Sequence, residues 1–208
     1  MSSIGDELTV MMTAIGQRLR LDERTEEPTP RRPKDLAGAP GAYGWLHEPG
    51  ALSRLVGWPT ADKLRVIASQ RPRMACLWGR RSGVGKTASA VALARVISPD
   101  GVGLFVRSTE LVASIQEAGW GSVPELVHRA RTTGLLVLDD LGIDQASEPA
   151  RAALCDLVWR RADRARGTTI VTTSLSPDEI TRRYGDGMTR RLHEAASVEI
   201  GEIEGMKK

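Results

Sequence analysis

The positions of apolar residues predict alternating strands and helices from about residue 73 onwards. Helix-start signals lie between the apolar runs, and the clearest is Ser176 followed by Pro177 and, at the third helical position, Glu179. Since parallel strands need helical connections, the alternation predicts an α/β domain of three layers, with a parallel five-stranded sheet between helices. The runs typical of buried strands are 73–78, 104–107, 135–139, 168–173 and 197–200.

The first 44 residues have a different pattern. Apolar residues at helical spacing, from Ile4 to Leu19, predict an amphipathic helix within residues 1–24. Residues 25–44 are rich in proline, glycine and charge and predict a linker, which leaves residues 45–208 for the main domain. Because one helix cannot form a core by itself, we expect it to pack on the main domain or to bind a partner.

Composition narrows the class of protein. The chain has 208 residues, enough for one well-buried domain with a short appendage, and its net charge of +3 permits contact with nucleic acid without requiring it. Cys76 and Cys155, the only cysteines, lie in apolar segments, which excludes a zinc module and a disulfide framework. No apolar stretch approaches the roughly 20 residues of a membrane span, and no signal-peptide pattern is present. We therefore expect a cytoplasmic protein without membrane contact.

The strongest chemical signal is the glycine-rich segment 79–87, Gly-Arg-Arg-Ser-Gly-Val-Gly-Lys-Thr, between an apolar strand and a helix. In a phosphate loop, glycines let backbone N–H groups approach the phosphates, a lysine binds them and a hydroxyl binds the metal. Lys86 and Thr87 are that lysine and that hydroxyl. The general pattern places glycine where this chain has Arg80, which fits if Arg80 keeps a negative φ. The predicted nucleotide-binding residues are Arg81, Ser82, Gly83, Val84, Gly85, Lys86, Thr87 and Ala88.

A second signal is the predicted strand 135–139, which ends in Asp139 and is followed by Asp140. Carboxylates at a strand end beside a phosphate loop can hold hydrated magnesium. We predict that Asp139 and Thr87 hold Mg²⁺ and that Asp140 orients or deprotonates the attacking water. The alternative role for Asp140 is to cap the turn that follows it. The two motifs together predict binding of a nucleoside triphosphate with magnesium.

Four segments together resemble a known family. They are the phosphate loop, the acidic strand Leu-Leu-Val-Leu-Asp-Asp-Leu-Gly, the strand that leads to Ser174 and the segment Arg190-Arg191-Leu192. Their order and spacing resemble those of AAA+ ATPases, which are P-loop NTPases, and most closely the DnaC/IstB-type helicase loaders, over roughly residues 64–205. The resemblance implies ATP and Mg²⁺ as cofactors and a weak ATPase activity that a partner or DNA stimulates.

The resemblance also implies roles for single residues. Ser174 occupies the position of a polar sensor that is usually asparagine, and the shorter serine side chain reaches less far. Arg191 matches an arginine finger, which stabilises charge on a neighbouring subunit's nucleotide and implies self-association into a ring or spiral. Arg190, Arg182 and Arg183 are rivals for that role, and a solvated basic helix face is the other interpretation. A C-terminal lid is expected to be truncated or absent.

Several functions remain open at this point. The leading expectation is an ATP-dependent helicase loader of DNA replication, whose N-terminal helix binds a replicative DnaB-type helicase and whose ATPase domain binds single-stranded DNA. A transposition regulator that assembles on double-stranded DNA is the alternative within the family. Outside it, a P-loop kinase of a small metabolite would use the same loop, and a nucleotide-gated scaffold would bind ATP but hardly hydrolyse it.

Overall fold

The fold is that of a computed structural model, which describes residues 36–48, 50–118, 123–163 and 167–201. All of these belong to one unit of the chain, Pro33–Lys208. The predicted N-terminal helix, the first part of the predicted linker and the segment after residue 201, which the lid prediction concerns, lie outside the described residues. None of the described helices is long and apolar enough to cross a membrane.

One parallel sheet of five strands forms the centre of the fold. Its strands are β1 (Met74–Trp78), β2 (Leu104–Arg107), β3 (Leu135–Leu141), β4 (Thr168–Thr173) and β5 (Ala196–Glu199). They lie in the order β2-β3-β4-β1-β5, and each neighbouring pair is parallel. The predicted five-stranded parallel sheet is therefore confirmed, and its strand ends fall within two residues of the predicted ones.

The helices connect the strands or precede the first of them. Within the described residues they are α1 (Ala51–Val56), α2 (Trp58–Gln70), α3 (Lys86–Ile97), α4 (Ser108–Glu117), α5 (Glu125–Thr132), α6 (Glu148–Ala162), α7 (Pro177–Tyr184) and α8 (Asp186–Glu194). The predicted capping box is confirmed at α7, where Ser176 accepts a bond from the Glu179 amide and Glu179 accepts one from the Ser176 amide. Sequence analysis did not predict α1 and α2, because α1 is short and α2 exposes apolar residues such as Trp58 and Val66.

Each face of the sheet carries its own hydrophobic core. Alternate strand residues point to opposite faces, as pleating requires: Leu136 and Leu138 belong to one core, Leu135 and Val137 to the other. Helices α4 to α8 cover the first face, and α1 to α3 cover the second. This is the predicted three-layer arrangement, and it places the carboxyl ends of β1, β3 and β4 side by side at one edge.

Residues 36–44, predicted as the end of the linker, pack against the domain. Leu36 is 4% exposed in the core on the α1 to α3 face, and Ala37 forms a parallel bridge with Leu104 at the sheet edge. A 3₁₀-helix, Gly41–His47, follows. The domain therefore begins before the predicted residue 45, because one well-placed leucine and backbone pairing order a segment whose composition is typical of a linker.

Candidate nucleotide-binding site

The predicted phosphate loop connects β1 to α3 at the carboxyl edge of the sheet. Gly83 and Gly85 have φ angles of 78° and 97°, in the left-handed region that glycine adopts without a steric penalty. A Cβ at Gly85 would also lie only 3.0 Å from Leu55, so α1 packs directly on the loop. Lys86 is the first residue of α3, where the helix dipole and free N–H groups favour an anion.

Gly79 and Arg80 explain how the loop departs from the general pattern. The Gly79 amide donates a hydrogen bond to the Thr173 carbonyl at 3.2 Å, and a Cβ at Gly79 would lie 2.3 Å from the Ile200 carbonyl oxygen. The close approach of the chain after β5 therefore requires glycine at this position. Arg80 is exposed and is not among the described non-glycine residues with positive φ, so the condition for arginine at this position is met.

Lys86 lies beneath the loop with 6% of its surface exposed. Its ammonium group donates hydrogen bonds to the carbonyl oxygens of Gly79 at 2.9 Å and Arg81 at 2.8 Å. Burial lowers the pKa of Lys86, whereas the charges of Asp140 and then Asp139 act to raise it. The structure thus brings together the lysine and both acids that the sequence singled out.

Asp139 is the most buried of these groups, with 1% of its surface exposed. Its Oδ1 accepts a hydrogen bond from the Thr172 hydroxyl at 2.7 Å, and its Oδ2 accepts one from the Thr87 hydroxyl at 3.2 Å. Burial raises the pKa of Asp139, and the Asp140 charge raises it further; the Thr172 and Thr87 bonds and the Arg107 charge oppose this shift.

The paired oxygens of Thr87 and Asp139 fit a magnesium ion. Mg²⁺ is usually bound by one or two protein groups and completes its octahedral shell with water and phosphate oxygens. Among the described residues, no cluster of three or more His, Cys, Asp or Glu side chains could hold a metal by itself. Thr87 and Asp139 therefore suit a cation that is also bound by the phosphates of a nucleotide. Such a cation would neutralise phosphate charge.

Asp140 lies next to Asp139 in an unusual backbone conformation, with φ of 56°. In the turn that follows, the Gly142 amide donates to Asp144 Oδ2 at 3.3 Å. Both roles of Asp140, water orientation and capping, stay predictions. Asp144 is itself held by the Tyr184 hydroxyl, which donates to Oδ2 at 2.8 Å.

Thr172 also belongs to this site, although no sequence motif singles it out. Ser174, the predicted sensor, is half-buried just beyond the end of β4, and its role stays a prediction. Thr172 lies two residues earlier, fully buried, with its hydroxyl on Asp139. The available signal was that this buried strand is rich in threonine, although valine and isoleucine would suit a sheet covered on both faces better.

Arg191, the predicted finger, is bound to acids of its own chain. It donates to Asp163 at 2.7 Å and to Glu194 at 3.2 Å, and about a quarter of its side chain is exposed (26%). Among its rivals, Arg183 pairs with the buried Asp144 at 3.4 Å, while Arg190 is highly exposed.

The phosphate loop and Arg191 lie at opposite ends of the parallel strands, the loop at the carboxyl ends and Arg191 near the amino ends. The loop follows the carboxyl end of β1, whereas Asp163 ends α6 just ahead of the amino end of β4, which is parallel to β1. A strand of this length spans roughly 15–20 Å. Arg191 is therefore out of reach of the loop in its own chain.

Comparisons with known proteins agree with this fold. The structure is similar to that of the DnaC helicase loader, with a TM-score of 0.57, 23% sequence identity and coverage of 66% of this chain and 86% of that chain. For DnaI the TM-score is 0.56 and the sequence identity 18%, with coverage of 70% of this chain and 81% of DnaI. For the replication initiator DnaA bound to AMPPCP and single-stranded DNA, the TM-score is 0.58 and the identity 15%, with coverage of 68% of this chain and 45% of that chain. At these identities the likeness shows a shared fold alone.

Sequence comparison identifies the family. A search of curated proteins finds no match. The sequence model of the IstB-like ATP binding proteins matches residues 70–205, which include the phosphate loop, the acid pair and Arg191. The chain is therefore a DnaC/IstB-like AAA+ protein and belongs to the IstB-like ATP-binding family.

Proposed function

We propose that the protein hydrolyses ATP within a self-assembled array, in which each site is completed by Arg191 of the neighbouring subunit. The observation that carries this proposal is the separation described above: the loop and the acid pair lie at one edge of the sheet, and the arginine lies at the other. With this separation, Arg191 could act as a finger only on the nucleotide of a second copy.

The residues at the carboxyl ends of the strands would each have a separate role in ATP hydrolysis. Lys86 and the loop amides bind the phosphates, Thr87 and Asp139 hold Mg²⁺, and Asp140 orients the attacking water and accepts its proton. Ser174 contacts the terminal phosphate or the water. Arg191 of the next subunit stabilises the charge that develops in the transition state.

A mixing experiment tests the shared site. Asp140→Asn keeps the finger but loses the water-orienting acid, and Arg191→Ala keeps the acid but loses the finger. Each variant alone is expected to bind ATP with little turnover, whereas a mixture regains turnover because some interfaces join an intact acid to an intact finger. Turnover by Arg191→Ala alone at the wild-type rate, under conditions of assembly, would overturn the shared site. Equal turnover of wild type and Asp140→Asn would instead support the nucleotide-gated scaffold.

We propose that the array loads a replicative DnaB-type helicase onto single-stranded DNA. The similarity to the DnaC helicase loader and the predicted helix within residues 1–24, on its predicted linker, support this function. The test is co-purification with the host helicase and stimulation of ATPase activity by single-stranded DNA, with the full chain and with residues 1–42 deleted. Helicase binding that survives the deletion would contradict the role of the helix.

Regulation of transposition is the second candidate, and the match to the IstB-like family favours it. Such a regulator would assemble on double-stranded DNA and recruit a transposase. ATPase stimulation by double-stranded rather than single-stranded DNA, together with binding of a transposase encoded beside this gene, would select it over the loader. A phosphorylated metabolite in the absence of any DNA stimulation would point to the kinase.

A further inference from the structure

The acid pair lies on an irregularity of the sheet. Leu138 pairs with Val171 and Leu141 with Thr173, so two residues of β3, Asp139 and Asp140, lie opposite the single residue Thr172. This is a β-bulge, and its extra residue, Asp140, has the left-handed φ of 56°. In a regular strand two successive side chains point to opposite faces. The bulge interrupts that alternation at the acid pair.

Side-chain hydroxyls hold both backbone groups of Asp140. The Thr172 hydroxyl accepts a hydrogen bond from the Asp140 amide at 2.8 Å and donates its own proton to Asp139 Oδ1 at 2.7 Å. On the other side, the hydroxyl of the buried Ser108 donates to the Asp140 carbonyl at 2.7 Å, and the Ile143 amide donates to the same oxygen at 3.3 Å. These bonds hold Asp140 in a left-handed conformation that costs free energy for a residue other than glycine.

Thr172 is the one of these groups that contacts both acids. Its hydroxyl is fully buried, donates one hydrogen bond and accepts another, so it couples the rotamer of Asp139 to the backbone of Asp140. A valine at this position would have the same shape but could neither accept from Asp140 nor donate to Asp139. A serine would keep both bonds.

We infer that Thr172 is a positioning residue for the acid pair: through one hydroxyl it orients Asp139 toward the metal and holds Asp140 in the bulge that directs its carboxylate to the attacking water. This inference rests on the proposed ATP hydrolysis. Thr172 itself contacts neither nucleotide nor water in this role and acts only through the two acids.

The test compares Thr172→Val with Thr172→Ser, and with Thr168→Val as the matched control at the far end of the same strand. For Thr172→Val we expect kcat to fall at least about tenfold and KM to rise by no more than the Mg²⁺-dependent part of the ATP affinity, since phosphate binding by the loop is retained. Thr172→Ser should recover most of the turnover, and Thr168→Val should resemble wild type. Wild-type kcat in Thr172→Val, or an equal loss in all three variants, would overturn the inference.

A binding measurement keeps this inference separate from hydrolysis. The affinity for a fluorescent ATP analogue, measured with EDTA and with Mg²⁺, reports whether Asp139 is oriented, and this measurement does not require turnover. Absence of turnover in wild type would refute the proposed hydrolysis but not the positioning role. Thr172→Val should lose most of the Mg²⁺-dependent gain in affinity and keep its affinity in EDTA; an unchanged gain would refute the positioning role. If Thr172→Val fails to fold, Ser108→Ala, which removes the shorter of the two hydrogen bonds to the Asp140 carbonyl, is expected to lower kcat without changing KM. An unchanged kcat in Ser108→Ala would then count against the role of the bulge.

Discussion

Arg191 and Asp163 form an ion pair of 2.7 Å that joins α8 to the end of α6. Asp163 is well exposed, and a pair of this kind contributes little to stability because water competes for both charges. The pair therefore restrains Arg191 in an isolated subunit. Breaking it, so that Arg191 can bind another group, costs little free energy. A phosphate group of a neighbouring subunit, with its higher charge, would be a stronger partner for the guanidinium than Asp163.

Removing that restraint should favour assembly. We expect Asp163→Asn to lower the protein concentration at which ATP turnover reaches half its maximum, because Arg191 loses a competing partner, and to leave ATP affinity unchanged. Turnover is measured over a series of protein concentrations. Asp62→Asn removes the acid of an exposed pair with Arg65 on α2 and is the control. A higher concentration requirement in Asp163→Asn would mean that the pair assists assembly.

Loss of the phosphate-loop lysine should abolish nucleotide binding. Lys86→Ala removes the charge that would meet the phosphates and also the two bonds that tie the loop carbonyls of Gly79 and Arg81. Titration with a fluorescent ATP analogue should show no saturation for this variant. Lys63→Ala, on the exposed side of α2, should bind as wild type. Retained binding in Lys86→Ala would refute the assignment of the loop.

Asp139 should destabilise the nucleotide-free protein at neutral pH. Burial raises its pKa above the ordinary value of 3.8, so the folded state binds this proton more tightly than the unfolded chain. The contribution of this group to stability therefore falls as the pH rises from 3.8 through the folded-state pKa, and it stays low above that. Asp139→Asn should accordingly raise the melting temperature at pH 7 while abolishing the Mg²⁺-dependent gain in ATP affinity. A lower melting temperature would mean that the Thr87 and Thr172 bonds outweigh burial.

At the start of the loop, substitution of Gly79 should be more damaging than substitution of Arg80. Gly79→Ala places a methyl group against the Ile200 carbonyl and should cost about 1–3 kcal/mol, together with a displacement of the chain after β5. Arg80→Gly restores the general pattern and should leave stability and ATP binding nearly unchanged. Thermal unfolding and nucleotide titration of the two variants check this. Greater damage from Arg80→Gly than from Gly79→Ala would reverse the interpretation.

Arg161 should be a determinant of stability rather than of activity. It is 3% exposed, and its guanidinium donates to the Thr169 hydroxyl at 2.7 Å and to the carbonyls of Ala130, Thr133 and Thr168 at 2.8, 2.9 and 3.0 Å. Arg161→Met leaves these acceptors unsatisfied and should lower the free energy of unfolding by about 2–4 kcal/mol. Arg160→Met, on the exposed side of the same helix, should hardly change the melting temperature. Equal melting temperatures would contradict the role of Arg161.

Much of the fold could be predicted from local patterns. The limits of β2 and β4 agree with the sequence prediction, because apolar or β-branched runs mark both strands. The packing of Leu36 and the helices α1 and α2 could not be predicted in this way. Leu36 stands alone in a polar segment and packs on distant elements, α1 is short, and the exposed Trp58 and Val66 obscure the helical spacing of the buried apolar residues of α2.

The sequence by itself determined which residue types form one part of the candidate site: a lysine and a hydroxyl at the start of a helix, and two acids at the end of a buried strand. Those roles follow from residue types within a few positions, which local chain geometry brings together. Only the tertiary structure decided that Thr172 couples the two acids and that Arg191 lies at the far edge, bound to Asp163. The reason is that both relationships depend on the register and direction of strands far apart in sequence, where a shift of one residue changes every side-chain contact.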